Sequence, residues 1–181
     1  VYRADITELE LIAAGANILT VTGLNFTFAN DGAGVLVIYD DGSGYSDIQI
    51  RDGHDFAAAN QGFTDPLDRT VPQAFSFAPA SSARVGTLDL FIGDGEAHRP
   101  DAVEITVGGT LSRFENVVVA GDGLEWDTLS YWVNIPAGEA MVTAEVFSGD
   151  GHSTVKPDSI NWLAAAFSVP LEVTPTPTPE I

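Results

Sequence analysis

The sequence predicts an all-β fold, an antiparallel β-sandwich of the jelly-roll type with about ten strands and an extended Pro-Thr tail at its C-terminal end. Three observations predict this class. Short runs of β-branched, aromatic and leucine residues recur along the chain. Gly, Asp, Pro and Ser separate these runs at the spacing typical of a sandwich. Stretches such as Leu88–Phe91 and Val142–Phe147 alternate apolar and polar residues, so every second side chain can face a core.

The individual strands follow from these runs and from the turn residues between them. Asp-Gly occurs six times, and this pair supplies the positive φ that tight hairpin turns require. The stretch between Asp52 and Asp68 is longer, and within it Phe56–Asn60 is the one helix candidate. We expect strands near Ile6–Ala13, Ile18–Phe28, Val35–Asp40, Asp47–Arg51, Gln73–Phe77, Val85–Ile92, Ala102–Val107, Leu111–Val119, Thr128–Ile135, Met141–Ser148 and Ile160–Val169.

Residues 1–170 are expected to form one sandwich domain, because 181 residues with 45% apolar content can bury one core of this size. Within it, residues 1–13 are expected to be an edge strand or a strand exchanged with another copy. Residues 171–181 are expected to be a linker or tail, because Pro-Thr repeats lack half of their backbone donors and favour an extended polyproline helix. Its expected O-glycan acceptors are Thr174, Thr176 and Thr178.

The charge is strongly acidic, with 26 Asp and Glu against 7 Lys and Arg and a formal net charge of −19. Such a surface repels phosphate backbones and anionic lipid, because proteins bind both through Lys and Arg. This composition excludes nucleic acid as a partner. It attracts cations and keeps a crowded extracellular protein soluble. Adaptation to high salt explains the same charge without any binding site.

Two absences from the sequence limit its compartment and chemistry. The chain has no Cys, so it has no disulfide, no thiolate metal site and no Cys nucleophile. It has no apolar run of about 18 residues, so no segment is expected to span a membrane. Val1–Asp5 lacks an initiator Met and a signal-peptide core, which favours a mature or excised N terminus. We expect a secreted or cell-surface location.

An internal repeat joins two pairs of predicted strands. Phe91–Val103 and Phe147–Ile160 share the pattern Phe-x-Gly-Asp-Gly, three or four residues, then a basic residue, Pro, Asp, a small residue and an aliphatic one. Each copy predicts a strand that ends in a Gly-Asp-Gly turn, an acidic loop, and a start of the next strand that Pro makes rigid. If the strands pair antiparallel, both loops lie at one end of the sandwich.

The acids of these loops form a candidate calcium site, since Ca²⁺ binds roughly six to eight oxygens of carboxylates and carbonyls. The alternative is that the same carboxylates accept hydrogen bonds from loop amides and only close the turns. The sequence favours this alternative, because it lacks the alternating Asp-x-Asp-x-Asp-Gly order of a dedicated calcium loop. No cofactor other than calcium is expected. The candidate ligands are Asp94, Glu96, Asp101, Asp150 and Asp158.

No constellation in the sequence singles out a catalytic site. His54, His98 and His152 are the only imidazoles, and none has a neighbour at metal-ligand spacing. No Gly-x-Ser-x-Gly turn is present for a Ser nucleophile, and carboxylate pairs arise by chance in so acidic a chain. The chain is therefore not expected to be an enzyme, and a secreted glycoside hydrolase or esterase is the last-ranked alternative.

Aromatic side chains offer another kind of site, because they can stack on sugar rings. Tyr45, flanked by Gly and Ser in a predicted loop, is the best exposed candidate. Trp126, which follows a Gly-Asp-Gly turn, is the second candidate. Aromatic residues inside the strand runs, Trp132 and Trp162 among them, are expected in the core.

Several phrases resemble those of β-sandwich repeat modules in large prokaryotic cell-surface proteins of the stalk or adhesin type, whose function is uncharacterised. The phrases are Val35–Asp40, Ile48–Gly53, Gly93–Asp101, Trp126 with Asp127, and the Ala137-Gly138 turn. The similarity covers about residues 30–168. It implies a sandwich fold and a role in extending surface stalks or fibres, and the family pattern brings no catalytic residues with it.

The first functional hypothesis is an extracellular structural module of a cell-surface stalk or filament, linked to copies of itself or to neighbouring surface modules. Strand addition to an open sheet edge would link such copies, with Val1–Ala13 as the donor. The alternative is a calcium-dependent carbohydrate-binding module with an adhesive role and glycans as partners. Neither hypothesis involves nucleic acid or insertion into a membrane.

Overall fold

The computed structural model describes residues 1–25, 27, 32–59, 67–123 and 125–172, and it confirms the predicted all-β sandwich. Eight strands form in these residues, somewhat fewer than predicted: β1 (Ser46–Ala58), β2 (Gln73–Ser76), β3 (Arg84–Gly93), β4 (Asp101–Val107), β5 (Thr110–Glu115), β6 (Trp126–Ile135), β7 (Met141–Ser148) and β8 (Ser159–Pro170). They build two antiparallel sheets. Sheet A has the order β1-β8-β3-β6, and sheet B has the order β2-β7-β4-β5.

The core lies between the two sheets and contains alternate residues of each strand. In β3, Leu88, Leu90 and Ile92 are fully buried and alternate with residues that are only half-buried. Phe75 of β2 and Phe167 of β8 meet across the core with their ring centroids 5.3 Å apart. The period of two that predicted these strands therefore also assigns their inner faces.

The internal repeat connects the two sheets in opposite directions. The first copy runs from β3 of sheet A to β4 of sheet B, and the second runs from β7 of sheet B to β8 of sheet A. A guanidinium N–H of Arg99 donates to the carbonyl of Lys156 at 3.2 Å, and the hydroxyl of Ser159 donates to the carboxylate of Asp94 at 2.5 Å. The two repeat loops thus lie together at one end of the sandwich, as predicted.

The first and last strands bring the start and the end of the chain within the sandwich side by side. β1 and β8 pair antiparallel, and Ser46 lies opposite Pro170. Just beyond these residues, the Leu171 amide donates to the Tyr45 carbonyl at 2.8 Å. The chain therefore enters and leaves sheet A at neighbouring points.

The helix predicted over Phe56–Asn60 is wrong, because β1 continues through this stretch to Ala58. Ala57 and Ala58 are buried and lie opposite residues 160 and 159 of β8. Small side chains at a covered sheet edge explain the Ala run, which the sequence alone could not tell from a helical turn. Residue 60 lies outside the described residues.

The predicted role of Asp-Gly pairs as hairpin turns is wrong at Asp52. This pair lies inside β1, where the pairing with β8 shifts register between Asp52 and Asp55 and forms a bulge. The two-residue turn between β4 and β5 is instead Gly108-Gly109, with φ of 55° and 77°. Both positions require the left-handed region that Gly adopts without a steric penalty.

The three strands predicted before β1, at Ile6–Ala13, Ile18–Phe28 and Val35–Asp40, are not found. Residues 1–25, 27 and 32–45 contain one 3-10 turn, Thr7–Leu9, and no strand; Phe28 lies outside the described residues. β-propensity alone does not make a strand, because the backbone groups of a strand need a partner. Most of the large apolar residues of this segment stay exposed, and Ile18 is 94% exposed.

Only the first two residues of the predicted tail lie within the described residues, so its boundary and its extended form stay predictions. Residues 171 and 172 follow β8 without regular structure, and residues 173–181, with Thr174, Thr176 and Thr178, lie outside the described residues. The part of the chain that the structure describes contains no helix long and apolar enough to cross a membrane.

Candidate functional site

The outer face of sheet A is a regular grid of side chains. Paired residues on neighbouring strands point to the same face, so the register aligns them in rows across the sheet. Three rows of four residues result, and we call these twelve residues the platform. From β1 to β6 the rows are Ile48, Ser168, Thr87 and Trp132; Ile50, Ala166, Asp89 and Ser130; and Asp52, Ala164, Phe91 and Thr128.

The platform carries little free charge in a chain whose net charge is −19. Its two charged residues both have partners. A guanidinium N–H of Arg3 donates to Asp52 at 2.6 Å, and the Ser130 hydroxyl donates to Asp89 at 2.5 Å. The outer face of sheet B differs, because there Glu104 and Arg113 form an ion pair at 2.6 Å beside further acids.

Trp132 is the largest exposed side chain of the platform, with 80% of its surface open to water. Sheet B also presents an aromatic residue outward, Phe147, but it is only 8% exposed. The guanidinium groups of Arg69 and Arg113 cover the Phe147 ring at 5.1 and 4.8 Å from its centroid. The indole of Trp132 is left open, so it is available to a ligand.

Trp132 was predicted to lie in the core, and this prediction is wrong. Its neighbour Tyr131 faces inward, 4.8 Å from the ring of Phe114 between centroids, whereas Trp132 faces outward opposite Thr87. Two adjacent aromatic residues in a strand must lie on opposite faces, and aromatic character does not decide which one is buried.

A signal that decides the face of Trp132 is present in the sequence. Residues two positions away share its face, and these are Ser130 and Asn134, both polar. Leu129 and Val133 face the opposite side of the strand, and they are apolar and more buried. Comparing the neighbours at a spacing of two would therefore have identified Trp132 as the outward residue.

Polar groups lie beside the open indole on its own strand, β6, and on the neighbouring strand, β3. Ser130 and Asn134 flank Trp132 along β6, while Thr87 lies opposite it on β3 and Asp89 lies one row away. These residues provide hydroxyl, amide and carboxylate groups beside an apolar ring. A few polar groups around an apolar surface are typical of sites for small molecules and sugars.

The opposite end of the platform is covered by the segment before β1. Trp126 and Phe91 lie with ring centroids 6.4 Å apart, and the backbones of Gly32 and Gly34 lie against these rings. A Cβ built on Gly34 would approach the Trp126 ring to 3.0 Å. The same segment and the platform line a cavity of about 500 Å³ that includes Thr128.

The two predicted stacking residues have different surroundings. Trp126 is half-buried under Gly32 and Gly34, so much of its ring is already in contact with the chain. Tyr45 is 83% exposed and directly precedes β1. Sugar stacking by either residue stays a prediction.

Asp101 and Asp150, two of the predicted calcium ligands, accept hydrogen bonds from loop amides. Asp101 is buried and accepts from Val117 at 2.8 Å and from Val118 at 3.3 Å. Burial raises the pKa of Asp101 to about 6, against the opposing effect of these amides. Asp150 accepts from residues 152 and 153 at 3.0 and 2.7 Å, and the bond from the Ser153 amide lowers the pKa of Asp150.

The other three predicted ligands also have protein partners, and Ser159 is shared by two of them. Asp94 accepts from the Ser159 hydroxyl, Asp158 accepts from the Ser159 amide at 2.9 Å, and Glu96 forms an ion pair with Arg99 at 3.0 Å. Within the described ranges no three acidic or histidine side chains lie in an arrangement that could hold a metal ion. These bonds match the turn-closing alternative, and calcium binding stays a prediction.

The three histidines lie on three different elements. His54 is on β1, with Nε2 2.7 Å from the side-chain oxygen of Asn161. His98 is in the loop before β4, and His152 is in the loop before β8, 3.6 Å from Asp150. The fold therefore does not gather the imidazoles into one metal or catalytic group.

No protein-family model and no curated protein matches this sequence. Solved structures similar to it include CBM35 from Cellvibrio japonicus Abf62, with 12% identity, a TM-score of 0.38, and coverage of 67% of this chain and 92% of that chain. The C-terminal CBM6 of LamC from Zobellia galactanivorans has 15% identity, a TM-score of 0.36, and coverage of 68% and 90%. The carbohydrate binding module CBM6cm-2 from Cellvibrio mixtus lichenase 5A, in complex with cellotriose, has 10% identity, a TM-score of 0.34, and coverage of 64% and 85%. These TM-scores are below 0.5, so the likenesses carry no argument about the site.

Proposed function

We propose that this chain binds glycans on the platform, with Trp132 as the ring on which a sugar stacks. The observation that carries the proposal is an indole 80% exposed on a sheet face with little free charge. A sugar ring has one face of C–H groups and a rim of hydroxyls. It can place that face on the indole and its rim among the surrounding polar groups.

The polar neighbours of Trp132 have hydrogen-bonding capacity left for a ligand. The Asp89 carboxylate accepts one bond from Ser130 and, with two oxygens, can accept others. Asn134 is exposed at the end of β6, and an amide offers both donors and an acceptor. The hydroxyls of a sugar need both kinds of partner, and the platform supplies both beside the ring.

The charge of the chain selects the class of glycan. The platform contains no Lys and no Arg, and the whole chain carries −19, so an anionic polysaccharide would be repelled. Four strands about 4.8 Å apart make each row about 14 Å wide, which is longer than a single sugar ring. We therefore propose a neutral polysaccharide chain as the ligand.

Replacing Trp132 tests the proposal. We expect Trp132→Ala to weaken binding to a neutral polysaccharide at least about 10-fold, since losing the contact of one large apolar side chain costs about 1.5–3 kcal/mol. Trp132→Phe retains a flat ring and should bind with intermediate affinity. Affinity gel electrophoresis against a panel of neutral and acidic polysaccharides, followed by calorimetry, measures the change.

Two matched variants control this experiment. Tyr2→Ala removes an aromatic side chain that is fully exposed outside the platform, and it should bind like the unaltered chain. Tyr45→Ala tests the stacking residue predicted from sequence. The proposal fails if the unaltered chain binds none of the neutral polysaccharides, or if Trp132→Ala binds as tightly as Tyr2→Ala.

Calcium dependence and a secreted or cell-surface location belong to the same proposal. A neutral polysaccharide is met outside the cell, and the acidic surface suits that environment. Repeating the calorimetry after chelation, and again with added Ca²⁺, measures whether the ion contributes. The platform does not require a structural role in a stalk or filament, and that role stays a separate prediction.

A further inference from the structure

Three of the four sheet edges have features that discourage pairing with another chain. β2 has four residues and β5 has six, and short edge strands offer few free backbone groups. β1 carries four charged residues and a bulge between Asp52 and Asp55. Arg51 of β1 also donates to the carbonyl of Ala74 in β2 at 2.9 Å, which ties this edge to the other sheet.

The fourth edge, β6, lacks these features. It has ten residues, all paired with β3 on one side, and it contains no Lys and no Pro. Its one charged residue, Asp127, is buried and accepts bonds from the amides of residues 119–121. On the other side of β6, the described residues form a bridge between Gly123 and Trp126, and the Thr128 amide donates to the Asp122 carboxylate at 2.7 Å. Alternate backbone groups of an antiparallel edge strand point outward, so among the described residues this edge is open from Ser130 to the end of β6.

The same chain contains a segment suited to that edge. Val35–Tyr39 is a run of five β-branched, leucine and aromatic residues, each between 37% and 76% exposed and none in a strand. The stretch from Ala33 to Tyr39 has no charged residue, although the chain has 26 acids. Short uncharged segments of high β-propensity without Pro are those that add to open edges.

We infer that Val35–Tyr39 of a second copy of this chain pairs with the open edge of β6 as an added strand. Val35–Tyr39 is not placed to pair with β6 of its own copy, because the residues just before it, Gly32 and Gly34, lie on the outer face of sheet A against Trp126 and Phe91. An added strand must lie in the plane of the sheet beside β6. A segment that leaves its own sheet over the face can reach the edge of a neighbour.

The contact joins uncharged surfaces of two strongly acidic molecules. Two copies that each carry −19 repel one another, and salt screens this repulsion. Association should therefore strengthen as salt rises. Each copy has one donor segment and one acceptor edge, so the contact is heterologous and propagates into an open chain of copies unless it closes into a ring. The donor differs from the Val1–Ala13 strand expected from sequence.

Cysteine cross-linking tests the inference in the full-length chain, which has no Cys of its own. One preparation carries Ile38→Cys, and three others carry Thr128→Cys, Ser130→Cys or Asn134→Cys along β6. Paired strands bring Cα atoms within about 5.5 Å, which is within reach of a disulfide. The donor preparation is mixed with each acceptor preparation under mild oxidation at high salt, and mass spectrometry identifies the linked residues.

We expect a linked dimer of Ile38→Cys with at least one of the three β6 variants, in several-fold excess over a control in which Tyr2→Cys replaces the donor. Light scattering of the unaltered chain should show association that rises with salt, and Val37→Pro, which removes a strand N–H, should abolish it. Equal yields with the Tyr2→Cys control overturn the inference. So does a double variant, Ile38→Cys with Ser130→Cys, that closes its disulfide within one monomer at low concentration.

Discussion

Two buried carboxylates organise the loops of this sandwich through backbone amides. Asp127 is 3% exposed and accepts bonds from the amides of residues 119–121 at 2.7–3.0 Å. Asp101 is 2% exposed and accepts from Val117 and Val118. The sequence showed that its loops are rich in Asp, but composition cannot separate a carboxylate that is enclosed by amides from one that faces water. That distinction depends on which strands meet, and it decides which acids are left for a ligand.

Replacing Asp101 with Asn tests the cost of burying this carboxyl. The pKa of Asp101 in the folded chain is raised to about 6, above its value in the unfolded chain, so folding favours the neutral form. The contribution of the neutral carboxyl to the free energy of unfolding is fully present below about pH 4 and is lost as the pH rises through about 6. A difference of this size between the two pKa values corresponds to about 3 kcal/mol.

The measurement is urea unfolding of both proteins between pH 3.5 and about 7.5, with their difference taken at each pH. Asn cannot ionise, but its side-chain oxygen can still accept from the Val117 amide. Because both proteins contain the same other carboxylates, the contributions of those groups to the pH dependence cancel in the difference. We expect the unaltered chain to lose stability relative to Asp101→Asn as the pH rises. A difference that does not change with pH would contradict a raised pKa at Asp101.

β3 lies in the middle of sheet A, between β8 and β6, and its Gly86 lies close against β8. A Cβ at Gly86 would lie 2.9 Å from the backbone oxygen of Ser168 and 3.0 Å from the ring of Phe167. Its φ is outside the left-handed region, so contact and not backbone strain requires Gly here. Neighbouring strands can approach at this point only because a side chain is missing.

Gly86→Ala should therefore destabilise the sandwich by about 1–3 kcal/mol, the usual cost of overpacking a core. Gly123→Ala is the matched control, because its Cβ would lie 3.7 Å from its nearest neighbour and its φ is ordinary. Thermal unfolding followed by circular dichroism measures both. Equal melting temperatures for the two variants would show that β8 moves away from Gly86 without cost.

The strands of the sandwich could be predicted, and the segment before them could not, for one physical reason. Alternation in runs such as Val142–Phe147 reports a strand with one buried face, and that face exists only where a second sheet covers it. Val35–Asp40 is also rich in β-branched residues but does not alternate, and it has no partner strand among the described residues. β-propensity describes how well side chains fit a pleated, half-buried surface, whereas pairing depends on the whole arrangement of strands.

The same limit applies to the candidate site. The register of β3 and β6 turns Trp132 outward, and none of the described residues covers its ring as Arg113 covers Phe147 on sheet B. The sequence shows an aromatic residue at this position and polar residues two places away. It does not show that β6 is an edge strand, which follows from the strand order, or that its outer face stays open at Trp132, which depends on where the segment before β1 lies.

The molecule as a whole carries a charge that opposes its own folding. A net charge of −19 on 181 residues repels itself more strongly in the compact state than in the unfolded chain. Raising NaCl from about 0.02 M to about 0.5 M shortens the screening length severalfold. We expect the melting temperature to rise by several degrees over this range at constant pH, and a fall would contradict self-repulsion as the dominant effect.

Calcium can be compared with this general salt effect. At matched ionic strength, CaCl₂ should raise the melting temperature more than NaCl if the loop acids bind the ion, because a ligand of the folded state alone stabilises by mass action. Differential scanning calorimetry with both salts measures the difference. Identical curves would leave the acids of the repeat loops as closures of turns, consistent with their bonds to amides.

The neighbouring positions of Ser46 and Pro170 have a mechanical consequence. If the chain were pulled apart at Ser46 and Pro170, the force would act across β1 and β8 at the point where these residues are paired. It would open the backbone hydrogen bonds between the two strands one after another. Strands pulled along their length resist through all their bonds together, but strands peeled from one end resist through one pair at a time. The sandwich would therefore yield at low force by releasing β1 and would lengthen before its core is breached.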